Sequence, residues 1–419
     1  MTHLWPEEPE FLRRIQVRPA DDAPRLIFAD YLDEHSDSRG EFIRLQCALA
    51  YLSPNDPIRA ELADRETKLR ECHETEWTNS LNGLVNGWEF RRGILECVSM
   101  SAESFIENGV ELFKRAPIRR VRLFDVGSQL DAMMQMPHLA QVHELDLCGN
   151  DLGNGGVNIL TRSPFLQNLE VLDLSYNDLS DTALQVLAGA TNFGKLQALH
   201  LSDNGHIGTA GVEALAGSHR LQQLTTLDLS SNDLGDGAIR ALIDPDLLPS
   251  LSSLVLNGNR IGDTGLALLS KSKLLGRMLQ RSPKLDLREN AIGPIGMRAL
   301  AESPLLAQVR NLDLSGNSIG DAGLDHLLDS ANLKVLESLS VRMNRLTDEG
   351  ALALAESPHL EQMLHLDIRD NAFTSSGIEA IRSSPHFNWR LVLDAMMDID
   401  MMPRAARPRR RRRRRQPGS

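Results

Sequence analysis

From residue 145 onward the chain repeats one hydrophobic pattern. Two leucine-like residues flank a single residue at Leu145/Leu147, Leu172/Leu174, Leu199/Leu201, Leu227/Leu229, Leu254/Leu256, Leu285/Leu287, Leu312/Leu314, Leu339/Val341 and Leu366/Ile368. An asparagine follows three residues later each time: Asn150, Asn177, Asn204, Asn232, Asn259, Asn290, Asn317, Asn344 and Asn371. The spacings between these asparagines are 27, 27, 28, 27, 31, 27, 27 and 27. Alternation with period two predicts a short strand, with its leucines on a buried face and the intervening residue on an open one. The asparagine amide can serve loop backbone groups that stacking would leave without partners. A helix follows each strand. In Ile319-Gly320-Asp321-Ala322-Gly323-Leu324-Asp325-His326-Leu327-Leu328, the residues Leu324, Leu327 and Leu328 share one helical face, and Asp321 reads as the N-cap. Asp181, Asp236, Asp263 and Asp348 occupy the same slot. Ser-Pro pairs at 163–164, 303–304, 357–358 and 384–385 mark helix ends, because proline disfavours helix in the residue before it.

One strand and one helix per unit predict a bent stack. Strands pack about 4.8 Å apart, helices roughly 8–10 Å apart. The expected shape is a horseshoe with one continuous parallel sheet on its concave face and helices on its convex face. Residues from about 118 to 393 resemble leucine-rich repeats of the ribonuclease-inhibitor type, on the L-x-x-L-x-L-x-x-N core, the period near 27 and the helix in each unit. The resemblance implies an α/β leucine-rich-repeat solenoid. It also implies a non-catalytic scaffold that binds a protein partner on the concave sheet face. By fold analogy alone, an alternative is a regulator of a small GTPase. One unit departs from the period: between Asn259 and Asn290 the spacing is 31, and the basic stretch 270–277 predicts a local bulge on the convex or edge side.

Residues 1–92 carry no repeat and read as a helical domain, with helices about 8–17, 23–35, 39–52 and 58–80. Residues 21–50 resemble a short bacterial repeat-companion domain, on Pro24-Arg25-Leu26, Ala29-Asp30-Tyr31-Leu32, Glu34, Arg39 and Glu41-Phe42-Ile43-Arg44-Leu45-Gln46. Ser36 stands where that resemblance expects a glycine. Arg25, Asp30, Arg39, Glu41 and Arg44 read as ion pairs and caps tying short helices together, with a binding cluster as the alternative. Residues 93–127 read as a degenerate capping repeat: a first strand at 93–98, a helix at 105–113 and a weak strand at 121–126. Residues 128–393 are then the solenoid, and 394–419 an Arg-rich disordered tail.

Charge sharpens this picture. The formal net charge is −12, and residues 404–415 hold nine arginines and no acid, so the rest of the chain stands at −21. The body is acidic and the tail basic. Arg409, Arg410, Arg411, Arg412, Arg413, Arg414 and Arg415 suit a nucleic acid or other polyanion through counter-ion release, without aromatic residues for base stacking. Folding back on an acidic groove is a second use for them, and a compositional accident without a role is the third reading. Aromatics make up only 4% of the chain, which fits many thin leucine layers. Cys47, Cys72, Cys97 and Cys148 form no C-x-x-C pair and read as structural thiols of a reducing compartment. No leader and no apolar run long enough to span a membrane is seen, so the expected location is cytoplasmic.

The outward residues of the strands give the candidate binding face: Asp146, Asp173, His200, Asp228, Val255, Asp286, Asp313, Ser340 and Asp367. Six of these nine are aspartate, which predicts an acidic ladder with raised carboxyl pKa values or bound counter-ions; the ladder reads either as this array's default strand kept soluble by a repeated acid or as a groove for a partner with a basic surface. Flanking outward positions add Glu144, Lys284, Arg288, Arg342, His365 and Arg369, so positive charge gathers toward the last units. Strand spacing suits calcium poorly, and no metal is expected. No phosphate loop, GxSxG elbow, H-E-x-x-H or G-x-G-x-x-G occurs, so no catalytic residue, cofactor or small-molecule substrate is expected.

Overall fold

The computed structural model describes residues 5–54, 56–244 and 246–386. They fall into two compact units: one runs to Leu229 and includes Asp246–Leu251, and the other holds Ser230–Pro245 and the chain from Ser252 onward. The first unit opens with four helices, α1 (Glu8–Val17), α2 (Ala23–Glu34), α3 (Arg39–Tyr51) and α4 (Arg59–Thr78). Ile15, Phe28, Ala29, Leu32, Ile43, Cys47 and Ile94 form their core. Ser36 lies at φ +57, in the left-handed region that favours glycine.

The helical region ends earlier than residue 92. Strand β1 (Gly87–Arg91) pairs antiparallel with β2 (Ile94–Ser101). The reason is a two-residue turn: Arg92 and Gly93 lie at φ +50 and +80, the geometry of a tight hairpin. Gly93 is also required by packing, because a Cβ there would meet the Ile43 Cα at 2.4 Å. Then come α5 (Ala102–Arg115), β3 (Arg120–Phe124), α6 (Leu130–Met134), β4 (Glu144–Asp146), α7 (Gly153–Leu160), β5 (Val171–Asp173), α8 (Asp181–Gly189), β6 (Ala198–His200), α9 (Thr209–Ala216) and β7 (Thr226–Asp228). From β2 to β7 each strand pairs parallel with the next. His138 is buried between Phe105 and Phe113, with ring centroids 5.2 and 5.3 Å away, and burial lowers its pKa below the ordinary 6.5.

The second unit continues with α10 (Asp236–Leu242), β8 (Ser253–Val255), α11 (Asp263–Leu269), α12 (Lys273–Arg281), β9 (Lys284–Asp286), α13 (Pro294–Ala301), β10 (Asn311–Asp313), α14 (Gly320–Leu328), β11 (Ser338–Ser340), α15 (Asp348–Glu356), β12 (His365–Asp367) and α16 (Ser375–Arg382). Strands β9 to β12 form a parallel sheet. Leucines of strand and helix close each layer: Leu312, Leu314, Leu324 and Leu327 are at most 2% exposed. Burying each contributes roughly 1.5–3 kcal/mol.

The expected single continuous sheet is interrupted, because β8 is not hydrogen-bonded to β9. Elsewhere, the residue before the strand and the first strand residue both donate to one carbonyl of the preceding repeat. Glu170 and Val171 donate to His143 O, and Glu337 and Ser338 to Arg310 O. At β9 the leading residue is Pro283, which has no N–H. The 31-residue spacing holds an additional helix, α12, rather than an irregular bulge. Ser272 caps it by accepting from the Leu275 N–H at 3.1 Å, and Leu274, Leu275 and Leu279 are buried. Helices α11 and α13 pack on each other directly, and α12 packs against β8.

The aspartates expected as N-caps do different work. Asp181, Asp236, Asp263 and Asp348 are the first residues of their helices, and Asp321 the second of α14. The cap positions are taken by Ser180, Gly235, Gly262, Thr347 and, for α14, Ile319. Each carboxylate instead reaches the next repeat. Gly208 N–H donates to Asp181 at 2.7 Å, Gly262 N–H to Asp236 at 2.7 Å, Gly293 and Gly296 N–H to Asp263 at 2.7 and 2.8 Å, and Thr374 N–H to Asp348 at 2.7 Å. Asp321 accepts from Thr347 and Gly350 N–H at 2.8 and 3.1 Å. The free amides of one helix start are thus satisfied from the neighbouring repeat. At the other helix end, Ser163, Ser218, Ser303, Ser330 and Ser384 hydroxyls donate to carbonyls of the preceding repeat: Met134, Ala188, Ser270, Ala301 and Ala355.

Two outcomes follow. A Cβ on Gly350 would sit 2.4 Å from the Asp321 carboxylate. Gly→Ala inside an exposed helix normally stabilises by about 1 kcal/mol; here Gly350→Ala lowers the unfolding free energy by about 1–3 kcal/mol, and the penalty shrinks in an Asp321→Ala background. Denaturant melts of the four proteins check this. Burial depresses the His138 pKa, so folding favours its neutral form. Its contribution to stability is therefore complete above pH 6.5 and is lost as pH falls below that value. Thermal melts across that window show a shallower acid slope for His138→Phe.

Candidate binding face

Each repeat presents its outward side chains because the leucines on either side point into the layer. In the first unit these are Glu144 and Asp146 on β4, Asp173 on β5, His200 on β6 and Asp228 on β7. Asp173, His200 and Asp228 are half-buried, and the Asp228 carboxylate lies 4.0 Å from the His200 Nδ1. Asp146, expected to be open, is 8% exposed. Two arginines on the neighbouring β3 cover it, Arg120 at 3.4 Å and Arg122 at 3.8 Å. Arg91 likewise pairs with Glu144. The arginines of β3 were not among the expected face residues, although the alternation Arg120-Val121-Arg122-Leu123 places both outward.

In the second unit Val255, Asp286, Asp313 and Ser340 are half-buried and outward, while Asp367 is only 7% exposed. Arg369 closes over Asp367 at 2.6 Å. Lys284 and Arg288 each stand 3.6 Å from Asp286. Arg342 bonds Asp370 at 2.5 Å. Burial works to raise the Asp367 pKa, but hydrogen bonds and charge from Arg369 outweigh it and hold the carboxyl below its ordinary value. The expected raising of this carboxyl is therefore reversed. The strand-end aspartates also share a local role. Asp146, Asp173, Asp313 and Asp367 accept from the backbone N–H two residues on, at 3.2, 2.9, 3.0 and 3.1 Å.

Below this row run the asparagines. The residue before each lies in the left-handed region, from Gly149 at φ +71 to Asp370 at φ +56. Asn177 Oδ1 accepts from Asn150 and Leu152 N–H at 3.1 and 3.2 Å, and Asn204 Oδ1 from Asn177 and Leu179 N–H, both at 3.0 Å. Asn150 and Asn232 donate to carbonyls of their own turns. In the second unit Asn259, Asn290, Asn317 and Asn344 accept from Leu234, Ile261, Ile292 and Ile319 N–H. Asn371 accepts from Asn344 and Leu346 N–H.

The N-terminal ion pairs do not converge on one site. Arg25, fully buried, donates to Glu96 of β2 at 2.6 Å. Arg44 pairs with Asp30 at 2.5 Å, Arg39 with Glu8 at 2.7 Å, and Glu41 with Arg65 at 2.5 Å. The four cysteines are free thiols, and burial pushes Cys47 and Cys97 up to about 11. Among the described residues no group of three His, Cys, Asp or Glu is placed to hold a metal, and no helix is long and apolar enough to cross a membrane. Arg409–Arg415 and the rest of 394–419 lie outside the described residues, as do residues 387–393.

A family profile described as Leucine Rich repeat matches residues 165–188, 195–216, 221–242, 248–270, 284–301, 309–328, 332–355 and 359–381. With the repeating strand, asparagine and helix, these matches identify the chain as a leucine-rich-repeat protein. Among solved structures, an internalin (inlF) of Listeria monocytogenes is similar at 17% identity and TM-score 0.37, over 70% of this chain and 86% of that one. A structure of the Rad7 and Elc1 complex in yeast is similar at 16% identity and TM-score 0.46, over 92% of each chain. The functional domain of InlJ from Listeria monocytogenes is similar at 16% identity and TM-score 0.36, over 66% of this chain and 54% of that one. No curated protein matches the chain.

Asn317 tests how far such an asparagine holds neighbouring repeats. Its amide donates to Leu287 O and Leu314 O, both at 2.9 Å, and its oxygen accepts from Ile292 N–H at 3.0 Å. Asn317→Ala leaves buried backbone groups without partners and costs about 2–4 kcal/mol. Urea unfolding measures that loss.

Proposed function

We propose that this protein is a non-catalytic scaffold that takes a protein partner with a basic surface on the outward face of its strands. The observation that carries the reading is the state of Asp173 and Asp313. Both are half-buried on outward strand positions, and neither has a cation within 4.0 Å among the described residues. Asp146 and Asp367 are by contrast closed by arginines. Open carboxylates on a rigid strand select a cationic surface and raise its association rate more than they add affinity. His200 and Asp228 in the first unit, and Val255, Asp286, Ser340, Arg342 and Arg369 in the second, are the further proposed contact residues. The repeats are in this reading of the ribonuclease-inhibitor kind, and residues 21–50 are a repeat-companion domain.

The test is affinity purification from the native cell with wild-type protein and with Asp173→Lys/Asp313→Lys. The recovered partner falls by about tenfold or more with the charge-reversed protein, while circular dichroism shows the same fold. Equal recovery would remove the strand face as the contact surface.

A further inference from the structure

The added helix α12 creates a surface that the strand-face proposal does not use. From Thr264 to Leu285 the chain carries Lys271, Lys273, Arg277, Arg281 and Lys284 and not one acid. That is a local reversal in a body whose charge is otherwise strongly negative. Leu274, Leu275 and Leu279 anchor α12. At its N-terminal end a groove of about 490 Å³ opens. Its floor is Ile243, Ala267 and Leu268, all half-buried, and its rim is Thr264, Lys271 and Lys273, all exposed. Neither rim lysine has an ion-pair partner among the described residues.

We propose that this groove docks an acidic amphipathic helical segment of a partner protein. Apolar side chains of that segment cover Ile243, Ala267 and Leu268, and its carboxylates meet Lys271 and Lys273. Two features select this occupant. An apolar floor is desolvated by leucine-like side chains but offers nothing to a phosphate backbone, and no aromatic residue lines it for stacking on bases. A basic rim then selects acidic over basic helices. Each exposed lysine–carboxylate pair contributes little affinity on its own. The floor therefore supplies most of the binding and the rim most of the discrimination.

The probe is a fluorescein-labelled peptide of about four helical turns, with leucines three and four residues apart on one face and glutamates elsewhere. Binding to the full chain is read by fluorescence anisotropy. The acidic peptide binds, and Lys271→Glu/Lys273→Glu weakens it by about tenfold or more. Ala267→Trp, which fills the floor and leaves the rim charges in place, weakens it comparably, and the same peptide with lysines in place of glutamates does not bind. The proposal is overturned if the acidic peptide fails to bind, if the lysine variant binds it equally, or if the lysine-bearing peptide binds as well. Duplex DNA that competes fully and ignores Ala267→Trp would mark a polyanion site instead. Sedimentation that shows self-association abolished by the lysine variant, with no peptide binding, would assign the groove to a second copy of the chain.

Discussion

A three-residue strand and a two-turn helix cannot complete their own hydrogen bonding, and every repeat of this protein hands its loose ends to a neighbour. At the strand end the receiving group is an asparagine amide. At five of the helix starts it is an aspartate carboxylate, with Asn154 serving Ser180 in the same way, and at five helix ends it is a serine hydroxyl. Asn290, Asp263 and Ser303 show all three within the second unit, reaching Ile261, Gly293 and Ser270. A buried backbone group left without such a partner costs about 1–3 kcal/mol, which is comparable to the burial of one leucine. The stack is therefore held by polar stitching as much as by its leucines.

This division of labour leaves the outward strand positions free of structural duty on their far side. The leucines and asparagines are claimed by the array, whereas His200, Val255 and Ser340 occupy a place where chemistry varies without disturbing a layer. The aspartates are intermediate. In Asp146, Asp173, Asp313 and Asp367 one oxygen holds the turn that follows. Arginines mark a further difference: Arg120 and Arg369 pair with Asp146 and Asp367, whereas Asp173 and Asp313 have no cation within 4.0 Å among the described residues.

The repeats, their strands and the first four helices were legible because each rests on a short-range period or a local breaker. The helices α1 to α4 start within a residue of their expected positions and end within two. What escaped reading lies between repeats or within short stretches. The reach of Asp321 to Gly350 spans 29 residues and leaves no local signature, although Asp recurring with a glycine one period later is its trace. The hairpin strand Gly87–Arg91 is too short for its alternation to stand out, and only the Arg92-Gly93 turn announces it. The covering of Asp146 depends on a neighbouring strand whose outward arginines are visible in sequence but whose register is not. The break before β9 has its trace in Pro283, whose missing N–H shows its effect only once the strand register is known.

That proline also marks where the strand-to-strand coupling is missing. In a linear chain of identical elements, cooperativity is carried by the coupling from each element to the next. At Pro283 one strand-side coupling is deleted, while the Asn290 amide and the helix contact between α11 and α13 remain. The junction between β8 and β9 is thus joined by its turns, its asparagine and its helices rather than by a strand ladder, so that an opening there would leave the hydrogen bonding inside the repeats on either side intact.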